Sequence, residues 1–365
     1  MKRIITVASV LLLLLVFVAI YSLGQVPEER PQWRRDPILP EAAPEPGKGI
    51  YTEYCALCHG EEGEGYLADE ANALANQDFL KSATDDFLFE AIVRGRPGSP
   101  MSAWGKNMGG VLPDADVRAV IAFLRWWQKE PPVDLSVVKV GGDAERGGRI
   151  YKKWCAACHG RGGEGASALS LNNPVFQETA GDGFLVYAIS KGRRGTSMSS
   201  FSPRLSSQEI EDVVAFIRTL ESNAEPAAVD SSVDIAFTPE RLEQALMNPG
   251  MPLAEFSPRD NRYVPIDLVY EAYEQKRSFI ILDARPYNDY LRAHVKGAVS
   301  VPFYDVEKAI DYLPRDVWII AYCVCPHAMS GKALDALRQA GFEKTAILDE
   351  GFQEWVARGY PIITG

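Results

Sequence analysis

Residues 47–65 read GKGIYTEYCALCHGEEGEG, and residues 147–165 read GGRIYKKWCAACHGRGGEG. Further on, RGRPGSPMSAWG (94–105) recurs as KGRRGTSMSSFS (191–202), and LPDADVRAVIAFLRWW (112–127) as LSSQEIEDVVAFIRTL (205–220). Three blocks in one order make two copies of one domain, at 47–130 and 145–222. The last block of each copy has a helical pattern. Val117, Val120, Ile121 and Leu124 fall at helical spacing, as do Ile210, Val213, Val214 and Ile217. Asp114, and Ser206 or Ser207, are the expected N-caps. The Gly-rich stretches between the blocks read as loops.

Each copy contains C-x-x-C-H: Cys55, Cys58 and His59, then Cys155, Cys158 and His159. This spacing is the signature of covalent haem attachment. Two thiols on one helical turn reach both vinyl groups, and the His that follows ligates iron. A redox dithiol or half a zinc site uses the same spacing; repetition in two matching domains favours haem. The chain holds four His: His59, His159, His294 and His327. Neither copy has a second His, so bis-His ligation within a domain is excluded. Met is the usual alternative, and its thioether raises the reduction potential. The second copy has one Met, Met198. Met101 aligns with it: each lies three residues after a glycine (Gly98, Gly195) and five after an arginine (Arg96, Arg193). Met101 and Met198 are therefore the candidate axial ligands, and Met108 reads as an ordinary loop or core residue.

With these residues in place, each copy resembles a class I cytochrome c domain. The shared plan is an N-terminal helix into C-x-x-C-H, a Gly/Pro-rich loop presenting Met, and a packing C-terminal helix. The resemblance implies two covalent haem c groups with His/Met ligation. It also makes Arg96 and Arg193 candidates for contact with haem propionates, although a solvated surface charge would look the same. Six-coordinate iron has no open position, which favours electron transfer over chemistry at the haem. Two haems in tandem suggest a relay.

The chain opens MKRIITVASVLLLLLVFVAIYSLG. Ile4 to Leu23 is an apolar run of roughly twenty residues, long enough to span a bilayer. Lys2 and Arg3 keep its N-terminus in the cytoplasm. No small-x-small cleavage site follows, so residues 1–24 are expected to be a retained transmembrane helix; a cleaved signal peptide is the alternative. Either way the remaining domains lie outside the cytoplasm, at a bacterial inner membrane and in the periplasm. The Pro-rich, charged stretch 25–46 reads as an extended spacer. The net charge of -11 and pI near 5.1 exclude nucleic acid as a partner and fit a soluble acidic protein.

After linkers at 131–144 and 223–263 the pattern changes. FIILDA, AVSVP, WIIAYC and TAILDE are short β-branched runs, each followed by a helix-like stretch, which suggests a parallel sheet with crossover helices. Residues 264–365 resemble the rhodanese family. The matching residues are Asp283 and Arg285, His294 with Gly297 and Ala298, Pro302, Tyr322-Cys323, Ser330, Gly351 and Trp355. The resemblance makes Cys323 a persulfide nucleophile, its thiolate favoured by loop N–H groups and a helix N-terminus. Cys325 is a candidate resolving thiol. Asp283 and His294 are expected to be scaffold residues. The loop in AYCVCPHAMSGKAL (321–334) is one residue longer than usual in that family and lacks Arg, leaving His327 and Lys332 as the nearby cations. Sulfide, polysulfide or a small persulfide therefore suits it better than thiosulfate. CVCPH is not a third haem motif, because Pro326 separates Cys325 from His327.

The expected architecture is two all-α cytochrome c domains and an α/β rhodanese-like domain behind an N-terminal transmembrane helix. The expected function is electron transfer, with three readings of the last domain left open: sulfane-sulfur binding or transfer, sulfur oxidation through the haems, or docking. Expected partners are redox donor and acceptor proteins, such as a membrane oxidase or a quinol-oxidising complex, and small sulfur species.

Overall fold

A computed structural model describes residues 43–65, 71–221, 237–242, 244–324 and 327–365. The expected anchor at 1–24, most of the spacer and Cys325 lie outside the described residues. Among the described residues, no helix is long and apolar enough to cross a membrane.

The two repeats have one helical plan. The first runs α1 (Gly47–Tyr54), α2 (Ala56–His59), α3 (Gln77–Ser82), α4 (Asp85–Arg94) and α5 (Asp114–Trp126). The second runs α6 (Ala144–Trp154), α7 (Ala156–His159), α8 (Pro174–Thr179), α9 (Asp182–Lys191) and α10 (Ser207–Ile217). In each, the first helix crosses the last at a glycine. A Cβ on Gly47 would clash with the Ala119 carbonyl, and one on Gly147 with the Asp212 carbonyl. Only glycine allows that approach. The apolar faces predicted for α5 and α10 are the buried ones: Val117, Val120, Ile121 and Leu124, then Ile210, Val213, Val214 and Ile217. Ser206 caps α10 in a reciprocal capping box with Glu209. The expectation for α5 needs correction: Pro113 is its N-cap, and Asp114 stands inside the first turn. A carboxylate suits the helix dipole there as well as it would at a cap.

The C-terminal domain is a five-stranded sheet of order β1-β6-β5-β2-β4, with every pair parallel. The strands are β1 (Tyr263–Val264), β2 (Ile280–Asp283), β4 (Val299–Ser300), β5 (Ile319–Tyr322) and β6 (Thr345–Leu348). A second, antiparallel pair joins β3 (Ala293–Val295) to β7 (Ile362–Thr364). The helices are α11 (Ile266–Glu274), α12 (Tyr287–Arg292), α13 (Val306–Ala309), α14 (Ala328–Gln339) and α15 (Gly351–Ala357). Strands β2, β5 and β6 are buried along their whole length, as the central strands of a covered parallel sheet must be. The preceding segment contributes to this core. Ala254 and Phe256 are buried in the same cluster as Ile281 and Trp355, and Ala254 N–H donates to the Ser278 carbonyl (3.0 Å).

Candidate haem and sulfur sites

Cys55 ends α1 and Cys155 ends α6, and each C-x-x-C-H wraps into the short helix that follows. Tyr51 and Tyr151, both fully buried, fix this turn from one helical turn upstream. Their hydroxyls donate to the carbonyls of Gly60 (2.7 Å) and Gly160 (2.8 Å). His59 Nδ1 lies 2.9 Å from the Asn72 carbonyl, and His159 Nδ1 lies 2.9 Å from the Leu169 carbonyl. A backbone acceptor at Nδ1 holds the proton there and leaves Nε2 as the lone-pair nitrogen, the arrangement a metal-ligating His requires.

The candidate methionine loops are also built alike. Arg96 N–H donates to the Met101 carbonyl (2.8 Å) and Arg193 N–H to the Met198 carbonyl (2.7 Å). Gly98 and Gly195 turn the chain between them at φ of 80° and 81°. Met108 lies in a separate 3-10 turn, Lys106–Met108.

The repeats pack together about an approximate twofold axis. Asn76 and Asn173 are equivalent, nearly inaccessible N-caps of α3 and α8. Each sends its amide nitrogen across to the other repeat's methionine loop: Asn76 Nδ2 to the Arg194 carbonyl and Asn173 Nδ2 to the Pro97 carbonyl, both at 2.8 Å. Phe79, Phe87, Phe176 and Phe184 fill the centre, the closest pair being Phe87 and Phe184 at 5.0 Å. Arg96 lies over Phe87 and Phe176, and Arg193 over Phe184 and Phe79. Burial pushes both guanidinium pKa values down to about 10. Arg96 Nη1 is buried without a hydrogen-bond partner among the described residues. A buried cation so poorly matched is strongly disfavoured unless an anion reaches it. The propionates of a haem are anions of the required kind, so the residues present fit the group.

In the C-terminal domain, Cys323 follows β5 and is almost fully buried. Its Sγ lies 3.3 Å from Ser330 Oγ on α14. Phe352 N–H donates to its carbonyl (2.9 Å). Asp283 and Arg285 form a buried bidentate pair (2.6 and 2.9 Å), and Tyr322 Oη donates to Asp283 Oδ2 (2.6 Å). That network ties β2 to β5 and faces inward. His294 stacks on Tyr290 at 3.7 Å. His327 sits at a left-handed φ of 78° as the N-cap of α14, its Nε2 2.7 Å from the Asp349 carbonyl. Beside it is a cavity of about 450 Å³ lined by Leu57, Arg262, Glu307, His327, Lys332 and Asp335, among others. Leu57, Arg262, Glu307 and Asp335 were not visible as candidates in the sequence. Arg262 brings a guanidinium from β1's approach, outside the loop, and Leu57 is the residue between the two cysteines of the first haem motif.

A family model described as cytochrome c oxidase, cbb3-type, subunit III matches residues 42–124 and 142–217. A rhodanese-like domain model matches residues 266–358. The chain is a tandem pair of cytochrome c domains joined to a rhodanese-like domain. The cbb3-type cytochrome c oxidase subunit FixP of Bradyrhizobium diazoefficiens is 30% identical over 196 residues, covering 51% of this chain and 64% of that one. FixP of Azorhizobium caulinodans is 29% identical over 205 residues, covering 54% and 66%. The chain thus spans just under two thirds of the length of these relatives. The rhodanese-like domain is similar to a solved rhodanese-like domain from Anabaena sp. at 28% identity, covering 30% of this chain and 81% of that one, with a TM-score of 0.28.

Proposed function

We propose that this protein is a membrane-anchored, periplasmic dihaem electron carrier serving a membrane oxidase. In this reading Cys55, Cys58, His59 and Met101 hold one haem c, and Cys155, Cys158, His159 and Met198 hold the other. Bound haem supplies a reversible one-electron change at iron, and the protein's ligands and surroundings set its potential. The observation that carries the proposal is the reciprocal contact of Asn76 and Asn173 with the opposite methionine loops. It holds the two sites in one fixed relation, which a relay needs and two independently tethered carriers would lack. The FixP relatives, which are oxidase subunits by name, support the choice of partner.

The rhodanese-like domain is proposed to carry sulfane sulfur on Cys323. The Cys323 thiolate attacks the outer sulfur of a small persulfide, R–S–SH. The S–S bond breaks, Cys323–S–S⁻ forms and RSH leaves. Lys332 and Arg262, the latter paired with Asp335 (2.7 Å), line the cavity beside His327. A second reading is favoured by Leu57, which places the first haem motif in the wall of that cavity. In that reading sulfide would add to Cys323 with loss of two electrons and a proton, and bound haem would supply the one-electron acceptors.

The test is sulfide, and separately polysulfide, added to the oxidised full chain, with haem absorbance and intact mass recorded for wild type and Cys323→Ser. A persulfide on wild type alone supports sulfur loading. Faster haem reduction in wild type than in Cys323→Ser supports the second reading. No persulfide on either leaves the domain without a sulfur role.

A further inference from the structure

The geometry points to the rhodanese-like domain as a positioning element for the first haem site, with Asn288 and Asp289 holding the chain that follows Met101. This inference rests on the reading of Met101 as a ligand. Asn288 and Asp289 lie in α12, directly after the Asp283–Arg285 pair. Asn288 has no exposed surface. Its Nδ2 donates to the Ala103 carbonyl (2.8 Å) and to the Met108 carbonyl (3.3 Å), bridging the two ends of the methionine segment. Asp289 Oδ2 accepts from Ser102 Oγ (2.5 Å), so the residue next to Met101 is held by a charge-assisted bond.

Aromatic contacts extend the grip to the other side of the site. Trp104 packs on Phe303 (6.4 Å) and Tyr304 (6.3 Å). Tyr54, immediately before Cys55, packs on Tyr304 (5.5 Å). The residues flanking both the cysteine motif and the candidate methionine therefore meet one patch of the rhodanese-like domain.

The second repeat supplies an internal control. Ser199, the equivalent of Ser102, is exposed, whereas Ser102 is buried. Ser200, the equivalent of Ala103, bonds within its own domain, Oγ to the Ser190 carbonyl (2.6 Å). Trp154, the equivalent of Tyr54, is 39% exposed. Each methionine loop is held by the opposite repeat through Asn76 or Asn173, and the first is gripped by the rhodanese-like domain as well. Met ligation raises a haem potential, and fixing the loop preserves that ligation. The rhodanese-like domain accordingly holds the first haem at the higher of its accessible potentials.

The experiment uses the full-length holoprotein and the variants Asn288→Leu, Ser102→Ala, Ser199→Ala and Met101→Leu. Readouts are the far-red methionine-to-iron band of the ferric protein and a spectroelectrochemical titration. Ser102→Ala leaves the rhodanese-like core untouched, so it keeps the test valid if Asn288→Leu misfolds. Met101→Leu is expected to remove about half of the band, since one of two equivalent ligands is lost. Asn288→Leu and Ser102→Ala are expected to weaken the same half and lower one potential, and Ser199→Ala to change neither. The inference is overturned if Met101→Leu halves the band while Asn288→Leu and Ser102→Ala leave both band and potentials unchanged. A full band in Met101→Leu overturns the ligand reading itself, and the inference with it.

Discussion

The two cytochrome c domains have the same helices, the same buried tyrosine and the same arginine turn, yet their environments differ. In the first, Ser102, Ala103 and Trp104 are buried against the rhodanese-like domain. In the second, Ser199 is exposed and Trp154 is 39% exposed. The comparison separates two tasks. Contacts that recur in both repeats, such as Tyr51 to Gly60 and Tyr151 to Gly160, build a haem-binding unit. Contacts present in only one, such as Asn288 to Ala103, place that unit within this particular protein.

The largest expected effect tests what the repeats share. Gly47→Ala and Gly147→Ala each put a Cβ against a backbone carbonyl of the crossing helix. Alanine gains roughly 1 kcal/mol in helix propensity. Overpacking against an immovable backbone typically costs about 1–3 kcal/mol, and more where nothing can yield. The clash should win, and each variant should lower the thermal stability of its own repeat. Melts followed at the Soret band would show it, and a stabilised Gly147→Ala would break the shared-crossing account.

A smaller effect tests what differs. Asp212 on α10 is buried and paired with Arg146 on α6, Oδ1 to Nη2 at 2.8 Å; the first repeat has Ala119 at that position. The Arg146 hydrogen bonds hold the Asp212 carboxyl down at about 2, against an ordinary value near 4. A depressed folded pKa contributes stability that is fully present above about pH 4 and is lost as pH falls toward 2. The second repeat should therefore lose stability over that window more steeply than the first. Asp212→Asn should remove the difference in pH-dependent melts; an unchanged slope would show that the pair contributes nothing.

Much of this was legible in the sequence, because it depends on short-range pattern. The repeated blocks, the two C-x-x-C-H motifs, the alignment of Met101 with Met198 and the strands at 280–283, 319–322 and 345–348 all carry local signals. Pro113 was missed as a cap because Asp114 is as good a candidate by composition. The segment 244–262 lacks periodicity, so its burial of Ala254 and Phe256 could not be read from it. Arg262, Leu57, Asn288 and Asp289 acquire their meaning only from tertiary contact between domains. The paired Asn76 and Asn173 did leave a signal: both open matching short helices, in NQDF and NPVF.

The most direct test of the central claim is the haem stoichiometry and ligation of the intact chain. Covalent haem is quantified per polypeptide by intact mass and pyridine haemochrome, alongside the ferric far-red spectrum. The account predicts two haem c groups per chain and a methionine band that falls by about half in either Met101→Leu or Met198→Leu. A single haem per chain, or a ferric spectrum with no methionine band, would contradict it.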